Sequence, residues 1–97
     1  MKHTIKFENV NMKSKMLTSA QIRAARALLR WSAEDLARHS ALGVTTIRRA
    51  ELAEKATSMT VSNDLAVRRA LETAGVEFID ENSGGAGVRL RKPAARK

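Results

Sequence analysis

Small polar or flexible residues at positions 18, 32, 43 and 60 divide the middle of the chain into short stretches, each with helical apolar spacing. This punctuation limits the available folds more than any other feature. Thr18-Ser-Ala-Gln21 has the spacing of a capping box, in which hydroxyl and amide side chains satisfy the first free backbone N–H groups of a helix. A helix is expected from there to about Arg30, with Ile22, Ala25, Leu28 and Leu29 on its inner face. Ser32 opens a second helix, with Glu34 and Asp35 in the first turn, where the helix dipole favours acids. It turns Leu36 and Ala37 inward and ends near His39. Ser40-Ala-Leu42 makes a tight connection to Gly43, which caps a third helix over Val44–Leu52. Ala53 to Met59 is a loop. Thr60 then caps a longer helix through Ala74, with Val61, Leu65, Ala70, Leu71 and Ala74 as apolar positions and Gly75 just past its end.

The flanks have a different period. Residues 3–10 alternate, with Ile5 and Phe7 on one side and Thr4, Lys6 and Glu8 on the other, which suits a short strand. Val76–Asp80 and Val88–Lys92 alternate in the same way around the flexible turn Asn82–Gly87. The expected organisation is an N-terminal extension (1–15), a helical domain (16–75), C-terminal strands (76–92) and a disordered tail (93–97). Met12 and Met16 are alternative starts, which would make the first segment dispensable.

The charge narrows the choice of partner. A net charge of +8 on 97 residues, spread along the whole chain, points to a polyanion, with nucleic acid ahead of an acidic membrane surface. The absence of cysteine excludes disulfides, thiolate metal sites and cysteine nucleophiles. His3 and His39 lack the company that a metal site or a triad requires, so neither a metal nor a cofactor is expected. The segment 84–87 is followed by neither Lys-Ser/Thr nor a helix, which argues against a phosphate-cradling loop. No cluster of His, Asp, Glu or Ser stands at catalytic spacing, so the chain does not read as an enzyme. No apolar run approaches the ~20 residues of a membrane span. The N-terminus lacks the apolar block of a signal peptide, and a cytoplasmic protein is expected.

Two short helices joined by a turn of about four residues form a helix-turn-helix unit, whose second helix fits the DNA major groove. Leu36 followed by the small Ala37 lets the two helices approach. The second helix buries Ile47 and Ala50 and turns Val44, Thr45, Arg48 and Arg49 outward. Val44 suits a thymine methyl, Thr45 a base or phosphate, and Arg48 the O6/N7 edge of guanine, so these three are expected to read bases. Phosphate contacts are assigned to Ser32, Ala33, Thr46, Arg49, Lys55, Thr57 and Ser58.

The run from Ser32 to Glu51 resembles the XRE family, the Cro and phage-repressor type of helix-turn-helix. Leu36, Ala37, Leu42, Thr46, Ile47 and Glu51 stand in the family's register, whereas Ala41 replaces the usual turn glycine and Gly43 the usual serine cap. The resemblance covers residues 16–75. It implies a mainly α, four- to five-helix Cro/repressor-like domain with short terminal strands, and a partly buried ion pair between Arg26 and Glu51. The C-terminal segment from Gly75 to Lys92 is similar to the tail of many small bacterial regulators of this type. A homodimer reading a palindromic operator, most simply as a repressor, is the expected partner arrangement, since the C-terminal strands leave edges that a second copy can pair with.

Plainer readings stand beside these. Arg48 and Arg49 could be a solvated helix face, Trp31 fits core packing better than stacking on DNA, and Arg89, Arg91 and Lys92 could grip phosphate or merely confer solubility. Control by a partner protein is one way to regulate a chain without a sensor domain. An alternative function is that of an antitoxin, which neutralises a toxin through a terminal segment such as 1–15 and represses its own promoter.

Overall fold

A computed structural model of the chain describes residues 16–54 and 56–92. Among these residues, four helices, α1 (Ser19–Leu29), α2 (Ala33–Ser40), α3 (Val44–Leu52) and α4 (Val61–Thr73), precede an antiparallel hairpin of β1 (Val76–Ile79) and β2 (Gly87–Leu90). The fold is thus mainly helical with a short two-stranded sheet. The expected strand at 3–10 and the tail at 93–97 lie outside the described residues.

The caps account for where the helices start and stop. Thr18 Oγ1 accepts the Gln21 N–H at 3.1 Å, and Gln21 Oε1 accepts the Thr18 N–H at 3.0 Å. The Gln21 side-chain amide then donates to the carbonyls of Gly87 (3.0 Å) and Ile79 (3.4 Å), so the residue that starts α1 also ties the hairpin to it. At their other ends α1 and α2 stop alike. Arg30 and Ala41 take left-handed backbone conformations (φ 59° and 61°), and the amides of Trp31 and Leu42 reach back to the carbonyls of Arg26 and Ala37, both at 3.0 Å.

One core lies between the helices and the hairpin, with Leu17, Ile22, Leu36, Ile47, Val67, Leu71 and Val76 fully buried. Two expected inner faces need correction. On α1 the stripe runs Ile22, Ala25, Leu29, and Leu28 is exposed because it lies about 100° around the helix from Leu29. On α4 the inner residues are Asp64, Val67 and Leu71, while Val61, Leu65 and Ala74 are exposed and Ala70 is half-buried. The stripe runs through the apolar Val67 and Leu71 and includes Asp64, a carboxylate in a core position, where its Oδ1 accepts the buried Leu17 N–H at 3.0 Å. A polar residue on the inner stripe hid the helix's true orientation.

The hairpin pairs Val76 with Leu90, Glu77 with Arg89, Phe78 with Val88 and Ile79 with Gly87. Both strands are shorter than expected, and β2 begins one residue earlier, at Gly87. Nor is the hairpin an exposed ribbon. Val76 is fully buried, and Phe78 and Val88 pack against the core. The Arg68 guanidinium lies 5.1 Å from the Phe78 ring centre, and Arg89 pairs with Glu77 across the strands at 3.0 Å. Trp31 is half-buried against the core and stacks on His39, with ring centres 4.3 Å apart.

Candidate nucleic-acid interface

The site is built on α2, the turn after it and α3. Ser32 and Asp35 cap each other at the start of α2: Ser32 Oγ accepts the Asp35 N–H at 3.0 Å and Asp35 Oδ2 accepts the Ser32 N–H at 2.9 Å. The bond from the Ser32 amide, and after it one from Arg38 Nη2 to Oδ1 at 3.0 Å, hold the Asp35 carboxyl below its ordinary range. At the turn, Ala37 is buried and small enough for α3 to approach, and the carbonyl of Gly43 accepts the first amides of α3, from Thr46 (3.1 Å) and Ile47 (3.3 Å).

Helix α3 is fixed from behind. It buries Ile47, Ala50 and Glu51. Arg26 grips the Glu51 carboxylate with both ends of its fork, Nε to Oε2 at 2.7 Å and Nη2 to Oε1 at 2.8 Å, while its Nη1 donates to the Trp31 carbonyl at 2.8 Å. Arg23 adds a bond to the Glu51 carbonyl at 2.6 Å. The hydrogen bonds to Glu51 raise the Arg26 pKa above its ordinary value, against the opposing effect of burial. The ion pair implied by the resemblance is thus present, and it locks the end of α3 to α1.

The outward face is only partly as expected. Thr45, Arg48 and Arg49 are exposed, but Val44 is half-buried and leans on the core, because it shares a helix face with the fully buried Ile47 three residues on. Arg48 is not alone: its Nη2 donates to Glu34 Oε2 at the start of α2. Thr46 and Arg49 line a hollow of about 180 Å³ between α3 and the N-terminus of α4, together with Ser58, Thr60 and Asn63. Ser58 is exposed there, in a left-handed conformation (φ 67°).

One phosphate assignment needs correction. Thr57 is 3% exposed, with its Oγ1 accepting the Met59 N–H at 3.2 Å, so its side chain is turned inward and does not reach a phosphate. Ala33 buries its methyl, and the group it could offer a phosphate is its backbone N–H at the start of α2. The Ser32 hydroxyl is exposed but serves the cap. Lys55 lies outside the described residues.

Sequence reasoning missed Glu34, Thr60 and Asn63 as neighbours of this face. Thr60 and Asn63 carry a signal, a cap three residues before an amide side chain, but in the sequence it marks only a helix start. Nothing in the spacing of residues 34 and 48 marks them as partners, since they lie on different helices. Among the described residues no group of His, Cys, Asp and Glu could hold a metal ion, and no helix is long and apolar enough to cross a membrane. Compared with known proteins, the chain matches no family model and no curated protein.

Proposed function

We propose that the protein is a sequence-specific double-stranded DNA-binding regulator of the helix-turn-helix, XRE-like kind, acting in the cytoplasm as a homodimer and most simply as a repressor. The observation that carries this reading is α3 itself. A nine-residue helix is clamped by a partly buried bidentate ion pair on one side and presents Thr45, Arg48 and Arg49 on the other. Thr45 and Arg48 are suited to base edges, and Val44 to apolar contact with a thymine methyl at the margin of the core. Arg49, which lines one hollow with Thr46, Ser58 and Thr60, is suited to a phosphate, and the overall +8 charge favours a polyanion.

Dimerisation rests on the hairpin, since a two-stranded sheet leaves an unpaired edge on each strand and Leu90 is 49% exposed at its end. Removing the hairpin is a poor test because Val76 belongs to the core. Leu90→Lys should instead shift sedimentation towards the monomer, and an unchanged dimer would move the interface elsewhere. The function itself is tested by selecting from a pool of randomised duplexes with the full chain. An enriched motif that repeats about one DNA turn apart is expected. Recovery of unrelated sequences, with affinity set only by salt, would reduce the protein to a general polyanion binder.

A further inference from the structure

The contact between Arg48 and Glu34 is an odd feature for a DNA-facing surface. A carboxylate on that surface repels phosphate, and Glu34 is not needed to cap α2, because Asp35 already makes the reciprocal bonds with Ser32. Nor is Glu34 needed by the nearby Arg26, whose fork is filled by Glu51. Beyond its charge in the first turn of α2 and its field at Arg26, the one side chain that Glu34 is seen to bond is Arg48, fourteen residues on and one helix away.

We propose that Glu34 is a positioning residue for base recognition: it tethers the Arg48 guanidinium away from the DNA backbone and presents it to a base edge. An unrestrained arginine beside a duplex meets phosphate first, since phosphates are the nearest and strongest anions, and such contacts carry no sequence information. A guanidinium has five N–H donors in a planar fork. The bond from Nη2 to Glu34 occupies one of them and leaves a pair free for the O6 and N7 of a guanine. The same carboxylate penalises approach to a backbone position where Arg48 would swing towards phosphate. Glu34 therefore trades overall affinity for discrimination.

This inference rests on the DNA-reading function proposed above, and the experiment separates the two. The full chain first selects its preferred duplex from a randomised pool. Wild type, Glu34→Gln, Arg48→Ala and the double variant are then titrated against that duplex and a scrambled one at several salt concentrations. Glu34→Gln is expected to raise affinity for the scrambled duplex much more than for the selected one, so that discrimination falls by about tenfold, within the range one bidentate base contact supplies. Its salt slope on scrambled DNA should steepen by about 0.9, the increment for one new phosphate contact. On the Arg48→Ala background Glu34→Gln should leave the ratio of the two affinities unchanged. Glu34→Asp keeps the charge but shortens the tether by one methylene, and should lose part of the discrimination. Equal gains on both duplexes for Glu34→Gln, with Glu34→Asp behaving as wild type, would show that Glu34 acts only as a charge and overturn the proposal. If wild type enriches no sequence, the DNA-reading function fails and the proposal with it.

Discussion

Helix α3 carries an arginine–glutamate pair on each side, and the same groups sit in opposite surroundings. On the inner side Glu51 is 9% exposed and Arg26 23%, with two bonds of the fork closed on the carboxylate. On the outer side Arg48 is 56% exposed and Glu34 59%. Withdrawing a charge from water costs several kcal/mol, so a buried pair tolerates no loss of one member. An exposed pair gains little attraction against water and gives up side-chain freedom to form. The inner pair is therefore a strut, and the outer one is a contact that can be exchanged for another ligand.

The largest expected effect is on the strut. Glu51→Ala leaves the Arg26 guanidinium uncompensated at the junction of α1 and α3 and should lower unfolding free energy by about 3 kcal/mol. Denaturant unfolding of Glu51→Ala beside Glu34→Ala measures the contrast directly. Equal losses for the two would erase the distinction between inner and outer pairs.

A third carboxylate sharpens the comparison, because Asp64 is buried with a backbone amide as its hydrogen-bond donor. Asp64→Ala leaves the buried Leu17 N–H without its acceptor and should cost about 1–3 kcal/mol. Asp64→Asn keeps an acceptor and removes the charge, so it should remain near wild type at neutral pH. Burial raises the Asp64 pKa, with the Leu17 bond and the field of Arg68 opposing it. A carboxyl raised in the folded state is penalised when ionised. Its contribution to stability is therefore best below the unfolded value of about 3.9 and declines as pH rises through the folded value. Asp64→Asn should remove that decline, and unfolding followed across the mildly acid range would show it. A wild-type profile in Asp64→Asn would mean that Asp64 does not titrate in that window.

The turn between α2 and α3 sets the angle at which α3 meets both arginine–glutamate pairs, and Ala41 holds it in a left-handed conformation that favours glycine. The unfolded chain gains freedom from glycine, which offsets part of the relief. Ala41→Gly should still stabilise the protein by about 0.5–1 kcal/mol while leaving the contrast between the pairs unchanged. A net loss would show that the turn is not strained.

How far the sequence announces all this depends on whether a signal is local. The side-chain caps at Thr18, Ser32 and Thr60 lie within three residues of the amides they serve, Gly43 precedes α3 without a side-chain cap, and the structure starts the four helices just after these positions. The face of α4 was misjudged, because its buried stripe joins Val67 and Leu71 to a carboxylate, Asp64, whose partner, the Leu17 N–H, lies 47 residues away. A polar residue in a core stripe looks like a surface residue until its partner is known. Arg26 and Glu51 became legible as a pair only through a resemblance over the whole domain. Arg48 and Glu34 had no such guide, and Thr57 looked like a loop hydroxyl open to solvent when it is turned inward.

The smallest expected effect tests the outer pair. Glu34→Gln loses a screened attraction to Arg48 and a first-turn charge worth a few tenths of a kcal/mol, but it regains side-chain freedom and keeps the Ser32–Asp35 cap. The change in unfolding free energy should stay below about 0.5 kcal/mol at low salt. It should vanish near 1 M salt, where the screening length falls to about 3 Å. The loss in Glu51→Ala should persist there, because a buried pair is screened far less. Parallel denaturation curves for both variants at low and high salt give the four numbers needed. If Glu34→Gln costs as much as Glu51→Ala and the loss ignores salt, the outer pair is a second strut. Arg48 would then not be free to trade its carboxylate for a base, and the tether assigned to Glu34 would be a brace for the fold instead.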